Sequence, residues 1–202
     1  MDYTNSEYNN AVKVEGKAER VRMELYDWLQ CFVTAIICGV LIFIFIGRTI
    51  GVDGWSMIQT LRDNDRVIIS NLFYSPENGD IIVFQSPSAH FEYPLVKRVI
   101  AIAGQTVNIN FETGDVYIDD NIISEPYINA ATTARYDFTG PLTIPAGYVF
   151  VLGDNRNSST DSRDNIVGLV DTRYILGKVL FVLIPGVDEL GNRDWNRFGF
   201  IA

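Results

Sequence analysis

Residues 28 to 47 form a run of twenty without a single charged side chain. As a helix this run would be about 30 Å long, which matches the hydrocarbon core of a bilayer. Trp28 at its start is a residue type enriched at membrane interfaces. A cleavable leader has a shorter apolar region, about 7–15 residues, followed by a small-x-small site. We therefore expect a retained transmembrane helix at 28–47 between an N-terminal segment, 1–27, and a domain, 48–202.

The basic residues on the two sides of this run indicate its orientation. Four precede it and three follow it within reach: Lys13, Lys17, Arg20 and Arg22, then Arg48, Arg62 and Arg66. Cytoplasmic flanks of membrane helices carry the excess of Lys and Arg. The counts predict a single-pass protein of the cell membrane, with a cytoplasmic N-terminus and an extracytoplasmic C-terminal domain.

Charge and cysteine content exclude several classes of protein. The net charge is −9, and residues 48–202 contain 12 basic and 19 acidic side chains, which argues against a nucleic-acid partner. The only cysteines, Cys31 and Cys38, lie in the apolar run, so the exported domain has no disulfide and no thiol nucleophile. With one histidine and no cluster of metal-ligand type, we expect no metal and no cofactor.

After the apolar run, the sequence becomes a series of short segments rich in Val, Ile, Tyr and Phe, separated by turn residues. Predicted strands are 66–70, 80–84, 95–103, 106–110, 115–118, 148–152 and 175–183. Residues 128–146 are predicted to be a long connection, a class of loop that is often functional. The predicted fold class is mainly β, with an N-terminal transmembrane helix followed by an antiparallel β-sheet catalytic domain.

An eleven-residue segment, 153–163, contains no apolar residue, although it directly follows the predicted buried strand 148–152. Its charges cancel, with two acids and two arginines: Asp154, Asp161, Arg156 and Arg163. A turn rich in Asx and Ser would explain this composition. A buried polar network beside a reactive centre would explain it too, because buried polar groups must be paired.

A hydrolase without a thiol needs a hydroxyl nucleophile and a base. His90, the only imidazole, lies in a proline-containing loop and is more typical of a solvated side chain than of a triad. A neutral lysine can replace it, and lowering a lysine pKa from 10.4 to roughly 8 costs about 3 kcal/mol. Lys97 shares a predicted apolar strand face with Leu95, Val99 and Ala101, although an edge-strand lysine has the same pattern. Lys178 is the weaker candidate.

Four segments in this order resemble the type I signal peptidases of the short, Gram-positive-like kind. They are 52–61, 78–84, 96–100 and 153–163, and the resemblance extends from the apolar run to about residue 180. The last segment matches the pattern Gly-Asp-Asn-Arg-x-x-Ser-x-Asp-Ser-Arg at every fixed position.

The resemblance implies that Ser56 is the nucleophile, Lys97 is the general base, and Ser159 holds the lysine amine by a hydrogen bond. It implies a supporting ion pair between Arg98 and Asp154. Asp161 and Arg163 match structural charges below the site. Residues matching the walls of shallow P1 and P3 pockets are Val52, Met57, Leu61, Leu95 and Val96.

The same resemblance implies the substrate and the partners. The substrate is a signal peptide of an exported preprotein, bound as an added strand and cleaved after a small residue of the Ala-x-Ala type. The lipid bilayer and the secretion translocon are implied partners, and no cofactor is implied.

The sequence departs from the family pattern near the serine. Gln59 stands where proline is usual, and Gly54 stands where some relatives have a side-chain oxyanion donor, which leaves the Ser56 N–H as the evident donor. Ala101, Ala103 and Gln105 replace parts of a common Gly-Leu-Pro-Gly-Asp run. These departures leave open the alternative of a catalytically inactive, membrane-anchored peptide-binding homologue. A self-cleaving Ser–Lys peptidase of the repressor kind is disfavoured by the apolar run.

Overall fold

A computed structural model describes residues 22–40, 47–86, 91–187 and 191–201. The chain divides into two compact units, 1–45 and 46–202, and each is described by itself. The predictions for residues 1–21, for residues 41–46 and for His90 lie outside the described residues.

The described part of the first unit, residues 22–40, is a helix, Arg22–Val40, that is long and apolar enough to cross a membrane by length and composition. No hydrophobic side chain of this helix is buried, and Trp28 is 78% exposed. From Trp28 onward the helix has no charged side chain on any face, which is typical of a lipid-facing segment. It begins six residues before the uncharged run, since Arg22–Asp27 continue the helical pattern.

The second unit is built from antiparallel strands, which confirms the predicted fold class. The strands are β1 Arg48–Gly51, β2 Arg66–Ser70, β3 Ile81–Phe84, β4 Leu95–Ile102, β5 Thr106–Asn110, β6 Asp115–Ile118, β7 Asn121–Ile122, β8 Leu142–Thr143, β9 Tyr148–Leu152, β10 Val170–Asp171, β11 Ile175–Ile184 and β12 Gly199–Phe200. The larger sheet has the order β1-β2-β11-β3-β4-β9-β10, with β12 paired to β11, and the smaller has the order β7-β6-β5-β8.

All seven predicted strands are present, with ends that shift by at most one residue. The missed strands are β1 and the two-residue strands β7, β8, β10 and β12, which are too short to show alternation. The connection 128–146 is irregular except for β8.

The predicted common face of β4 is wrong at its far end. Leu95 and Val99 pack in one core cluster, but Ala101 packs in another together with its neighbour Ile100. A register irregularity between Val99 and Ala101 in the pairing with β9 causes this change, because an extra residue in one strand breaks the two-residue alternation.

Candidate active site

Ser56 and Lys97 meet beside β4, an interior strand of the larger sheet. Ser56 lies in the turn that follows β1, and Lys97 lies in the first half of β4. The Lys97 Nζ and Ser56 Oγ atoms are 2.7 Å apart, and Nζ donates to the Val96 carbonyl at 3.0 Å. Lys97 is 3% exposed. This places an amine within proton-transfer distance of a hydroxyl.

Burial lowers the pKa of the Lys97 amine from 10.5 to about 8. Desolvation disfavours the charged amine, and the negative charges of Asp161 and Asp154 oppose it only in part. Among the described residues, no carboxylate forms an ion pair with Lys97, because the acids of 153–163 are bound to arginines. For this pKa about a tenth of the amine is neutral at pH 7 and about half at pH 8, and this neutral fraction can act as a general base.

Arg98, the next residue of β4, is buried in an ion pair. Its guanidinium donates to both carboxylate oxygens of Asp154, at 2.8 and 2.7 Å, and to the Gly79 carbonyl at 2.8 Å. Thr60 of the serine turn donates to the same carboxylate at 2.5 Å. The pair thus connects β4, the serine turn and the polar segment.

The four charged residues of the polar segment, 153–163, form a buried network, whereas Asn157, Ser158 and Thr160 are exposed. Arg163 contacts Asp161 at 2.8 Å and donates to the Ala134 carbonyl at 2.7 Å. Asp161 also accepts from the Gly153 N–H at 3.1 Å. Arg156 and Arg163 are fully buried. Of the two interpretations of this segment, the structure favours the paired polar network.

Sequence reasoning missed the residues that complete this network from the chain between β7 and β8. Glu125 forms an ion pair with Arg156, whose guanidinium also donates to Thr132 at 2.8 Å. The ring of Tyr127 lies 3.8 Å from the Arg98 guanidinium carbon, and burial raises the Tyr127 pKa. The number of acids could have indicated a further partner. Arg98, Arg156 and Arg163 need three carboxylates if all are buried, and the segment 153–163 contains only two acids.

Gly153 permits the close approach of the segment to the serine turn. A Cβ added there would overlap the Ser159 side chain and the Ser56 carbonyl oxygen. Glycine is required here because a side chain would not fit. Its backbone conformation does not require glycine, since its φ is not in the left-handed region.

The predicted hydrogen bond between Ser159 and Lys97 is not formed in this structure. Ser159 is 3% exposed, and its Oγ has no hydrogen-bond partner among the described residues. The amine instead contacts Ser56 and the Val96 carbonyl, while the Ser159 side chain packs against Gly153.

The predicted pocket residues divide between two core clusters. Four lie together in one cluster, with exposures of 9% or less: Val52, Met57, Leu61 and Val96. Leu95 instead packs partly buried against the other cluster. Their role in a substrate pocket remains a prediction.

The two departures near the serine have conformational consequences. Gln59 has a φ of 83°, in the left-handed region, whereas proline is fixed near −65°. The serine turn therefore has a conformation that the usual proline could not adopt. Gly54 has a φ of 94°, and its N–H donates to Asp63 at 2.8 Å, so that N–H is occupied.

Across the described ranges, no group of His, Cys, Asp and Glu side chains could hold a metal ion. The site consists of a hydroxyl, an amine and a surrounding set of paired charges. This set of groups is suited to nucleophilic acyl transfer.

Comparison with known proteins gives the family. The model of the family described as signal peptidase, peptidase S26, matches residues 25–184. This chain belongs to the signal peptidase family. It is 32% identical over 182 residues to signal peptidase I of Bacillus licheniformis, covering 85% of this chain and 95% of the relative. It is 34% identical over 183 residues to signal peptidase I S of Bacillus subtilis (strain 168), covering 84% and 95%.

Among solved structures, a signal peptidase I from Enterococcus faecalis V583 is similar, with 33% identity and a TM-score of 0.42, covering 52% of this chain and 97% of that one. The family resemblance seen in the sequence and the expectation of an S26 serine peptidase of the signal peptidase I type are confirmed by the family model and the curated relatives.

Proposed function

We propose that this chain is a membrane-anchored serine endopeptidase that removes signal peptides from exported preproteins. Ser56 is the nucleophile and neutral Lys97 is the general base. The observation that carries the proposal is the 2.7 Å separation of the Lys97 amine and the Ser56 hydroxyl, in surroundings that lower the amine pKa to about 8.

The reaction follows from these positions. The Ser56 hydroxyl donates its proton to the amine lone pair as Oγ attacks the carbonyl carbon of the scissile bond. The ammonium then protonates the leaving amine, and an acyl-enzyme remains. Neutral Lys97 next takes a proton from water, which attacks the ester and releases the signal peptide.

Ser159 is proposed to hold the amine during this cycle. A neutral amine has two N–H groups and one lone pair. When Ser56 donates to the lone pair, one N–H donates to the Val96 carbonyl and the other N–H is left for a further acceptor. The Ser159 oxygen is a buried acceptor without a hydrogen-bond partner in the part of the chain that the structure describes. Pairing the two would satisfy both groups, which is favourable in a buried site.

The substrate is proposed to bind as an extended strand along β4. Residues 95–97 pair with β3 on one side, whereas the pairing of β4 with β9 begins only at Arg98. Within the described residues the other edge of 95–97 has no strand partner. An open edge next to the nucleophile suits β-augmentation by a peptide, and the specificity is proposed to be for small residues of the Ala-x-Ala type.

Membrane attachment is proposed to occur through the N-terminal helix, with residues 1–27 cytoplasmic and 48–202 extracytoplasmic. The apolar helix and the distribution of basic residues support this arrangement. It places the serine where preproteins emerge from the translocon.

Purified Ser56→Ala and Lys97→Ala variants, assayed on a precursor with an Ala-x-Ala site, test the proposal. Both are expected to lose turnover, while a serine-directed covalent probe labels the wild type and not Ser56→Ala. Wild-type turnover in either variant would show that the assignment of the Ser–Lys pair is wrong.

A further inference from the structure

The two peptide carbonyls that flank Ser56 are held by one residue of the polar segment, Asn155. Its backbone N–H donates to the Ser56 carbonyl at 3.0 Å. Its side-chain Nδ2 donates to the Trp55 carbonyl at 3.1 Å. These contacts join positions about a hundred residues apart and fix the backbone on both sides of the nucleophile.

The Trp55 carbonyl also accepts from the Ile58 N–H at 3.2 Å, and this contact together with that of Asn155 fixes the direction of the Ser56 N–H. In a planar trans peptide the C=O and the following N–H point in opposite directions. Holding the Trp55 carbonyl toward Asn155 therefore turns the Ser56 N–H away from Asn155. This N–H has no hydrogen-bond partner among the residues that the structure describes, so it is free to donate to a ligand.

The orientation of the Asn155 amide is itself fixed by the long connection. Asn129 Nδ2 donates to Asn155 Oδ1 at 2.9 Å. An amide whose oxygen accepts from Asn129 must present its NH₂ group to the other side, where the Trp55 carbonyl lies. The connection between β7 and β8 thereby contributes to the geometry of the serine turn.

We propose that Asn155 is a positioning residue that aims the Ser56 N–H at the oxyanion of the tetrahedral intermediate. Gly54 provides no side-chain donor and its own N–H is bound to Asp63, so the Ser56 N–H matters more here than in a relative with a hydroxyl at that position. The inference rests on the proposed function, because it requires Ser56 to be the nucleophile.

Asn155→Ala, compared with Asn157→Ala in the full-length protein in detergent micelles, tests the inference. Asn157 is a matched control: it lies two residues on and binds Thr133, Ala134 and Ala131 of the long connection, and among the described residues it has no hydrogen bond with the serine turn. Removing the Asn155 side chain keeps its backbone contact with Ser56 and deletes only the contacts with Trp55 and Asn129.

For Asn155→Ala we expect kcat to fall about 3- to 10-fold, the worth of one hydrogen bond, with KM unchanged. Affinity for a peptide aldehyde, which adds to Ser56 as a hemiacetal, should fall by the same factor. Affinity for the product signal peptide and the midpoint of the pH profile should not change. Asn157→Ala should keep the wild-type kcat and aldehyde affinity.

Asn155→Asp provides a second variant of the same shape. It keeps the acceptor for Asn129 but has no N–H for the Trp55 carbonyl, so a loss of kcat at least as large as that of Asn155→Ala is expected. The inference is overturned if Asn155→Ala and Asn157→Ala have equal kcat, or if both Asn155 variants change only KM or thermal stability. A wild-type protein that does not cleave would instead refute the proposed function, and with it this role.

Discussion

Two neighbouring residues of β4 place cations in different buried surroundings. Arg98 is buried with a carboxylate partner, Asp154, and with further acceptors from Thr60 and Gly79. Lys97 is equally buried, but its contacts are a hydroxyl and a peptide carbonyl. A buried charge with full pairing is structural, whereas a buried amine without a counterion can give up its proton. The difference in pairing therefore separates the proposed base from its support.

The largest expected effect comes from removing the unpaired amine. Lys97→Met keeps the length and the apolar stem but cannot accept a proton. Turnover on an Ala-x-Ala precursor should fall about 10²–10⁴-fold, the usual contribution of general acid–base catalysis. The folded state should persist at pH 7, because no buried partner loses its counterion.

Lys178→Met is the control for this loss of turnover. Lys178 is 38% exposed on its side chain and pairs with Asp80 at 2.5 Å. Lys178→Met leaves the buried Asp80 carboxylate without this cation, so turnover is compared per folded molecule, and it should match that of the wild type. Turnover in Lys97→Met that equals that of Lys178→Met would contradict the comparison.

Removing the partner of the paired cation should instead destabilise the fold. Asp154→Asn leaves the Arg98 guanidinium buried without its counterion, which costs about 3–5 kcal/mol in other proteins. Chemical denaturation followed by tryptophan fluorescence measures the loss.

Asp171→Asn removes the carboxylate of an ion pair whose arginine, Arg173, is 81% exposed on its side chain. Little change in stability is expected, since water solvates the cation that remains. Equal stabilities for Asp154→Asn and Asp171→Asn would mean that burial of the Arg98 pair is not what matters.

Stability should also depend on pH through Lys97. The pKa is about 8 in the folded state and 10.5 in the unfolded chain, so the unfolded state binds more protons between these values. Stability should therefore rise as pH increases from about 8 to 10.5, by about 3 kcal/mol in total. The penalty of the buried ammonium is fully present below pH 8.

Lys97→Met should lack this rise, so the difference between the two unfolding curves isolates the lysine. If the stability of the wild type and of Lys97→Met changed in parallel between pH 8 and 10.5, the amine would have the same pKa in the folded and unfolded states, and the prediction would be wrong.

The smallest expected effect concerns the turn that carries Ser56. Gln59→Gly should stabilise the protein by about 1 kcal/mol, because a left-handed conformation is strained for residues other than glycine. Asn64→Gly is the control, since Asn64 also has a positive φ, 63°, but asparagine tolerates it better. Gln59→Pro should be strongly destabilising in the same melting experiment.

Much of the fold was accessible from the sequence because its strands carry clear signals. β4 and β9 are apolar and bounded by turn residues, so their existence and limits could be predicted. The register irregularity after Val99 could not, since it depends on how β9 pairs with β4. The short strands β7, β8, β10 and β12 exist only through their partners and leave no periodic pattern.

The candidate site was predicted in part, and for a different reason. Ser56, Lys97, the polar segment and the Arg98–Asp154 pair were predicted from motifs, but the contacts made by the chain between β7 and β8 were not. Glu125 and Asn129 lie in an irregular connection, where spacing carries no information about which buried group they reach. The packing of Ser159 against Gly153 likewise depends on a close approach of backbone segments that no local pattern records.

The central claim is that Lys97 titrates far below an ordinary lysine because it is buried without a counterion. Its pKa can be measured directly by NMR on protein with ¹³C-labelled lysine in detergent micelles, with Lys97→Met used to assign the signal. The account predicts a midpoint near 8 for Lys97, in a signal that is absent from the variant. A midpoint near the ordinary 10.4 would contradict it.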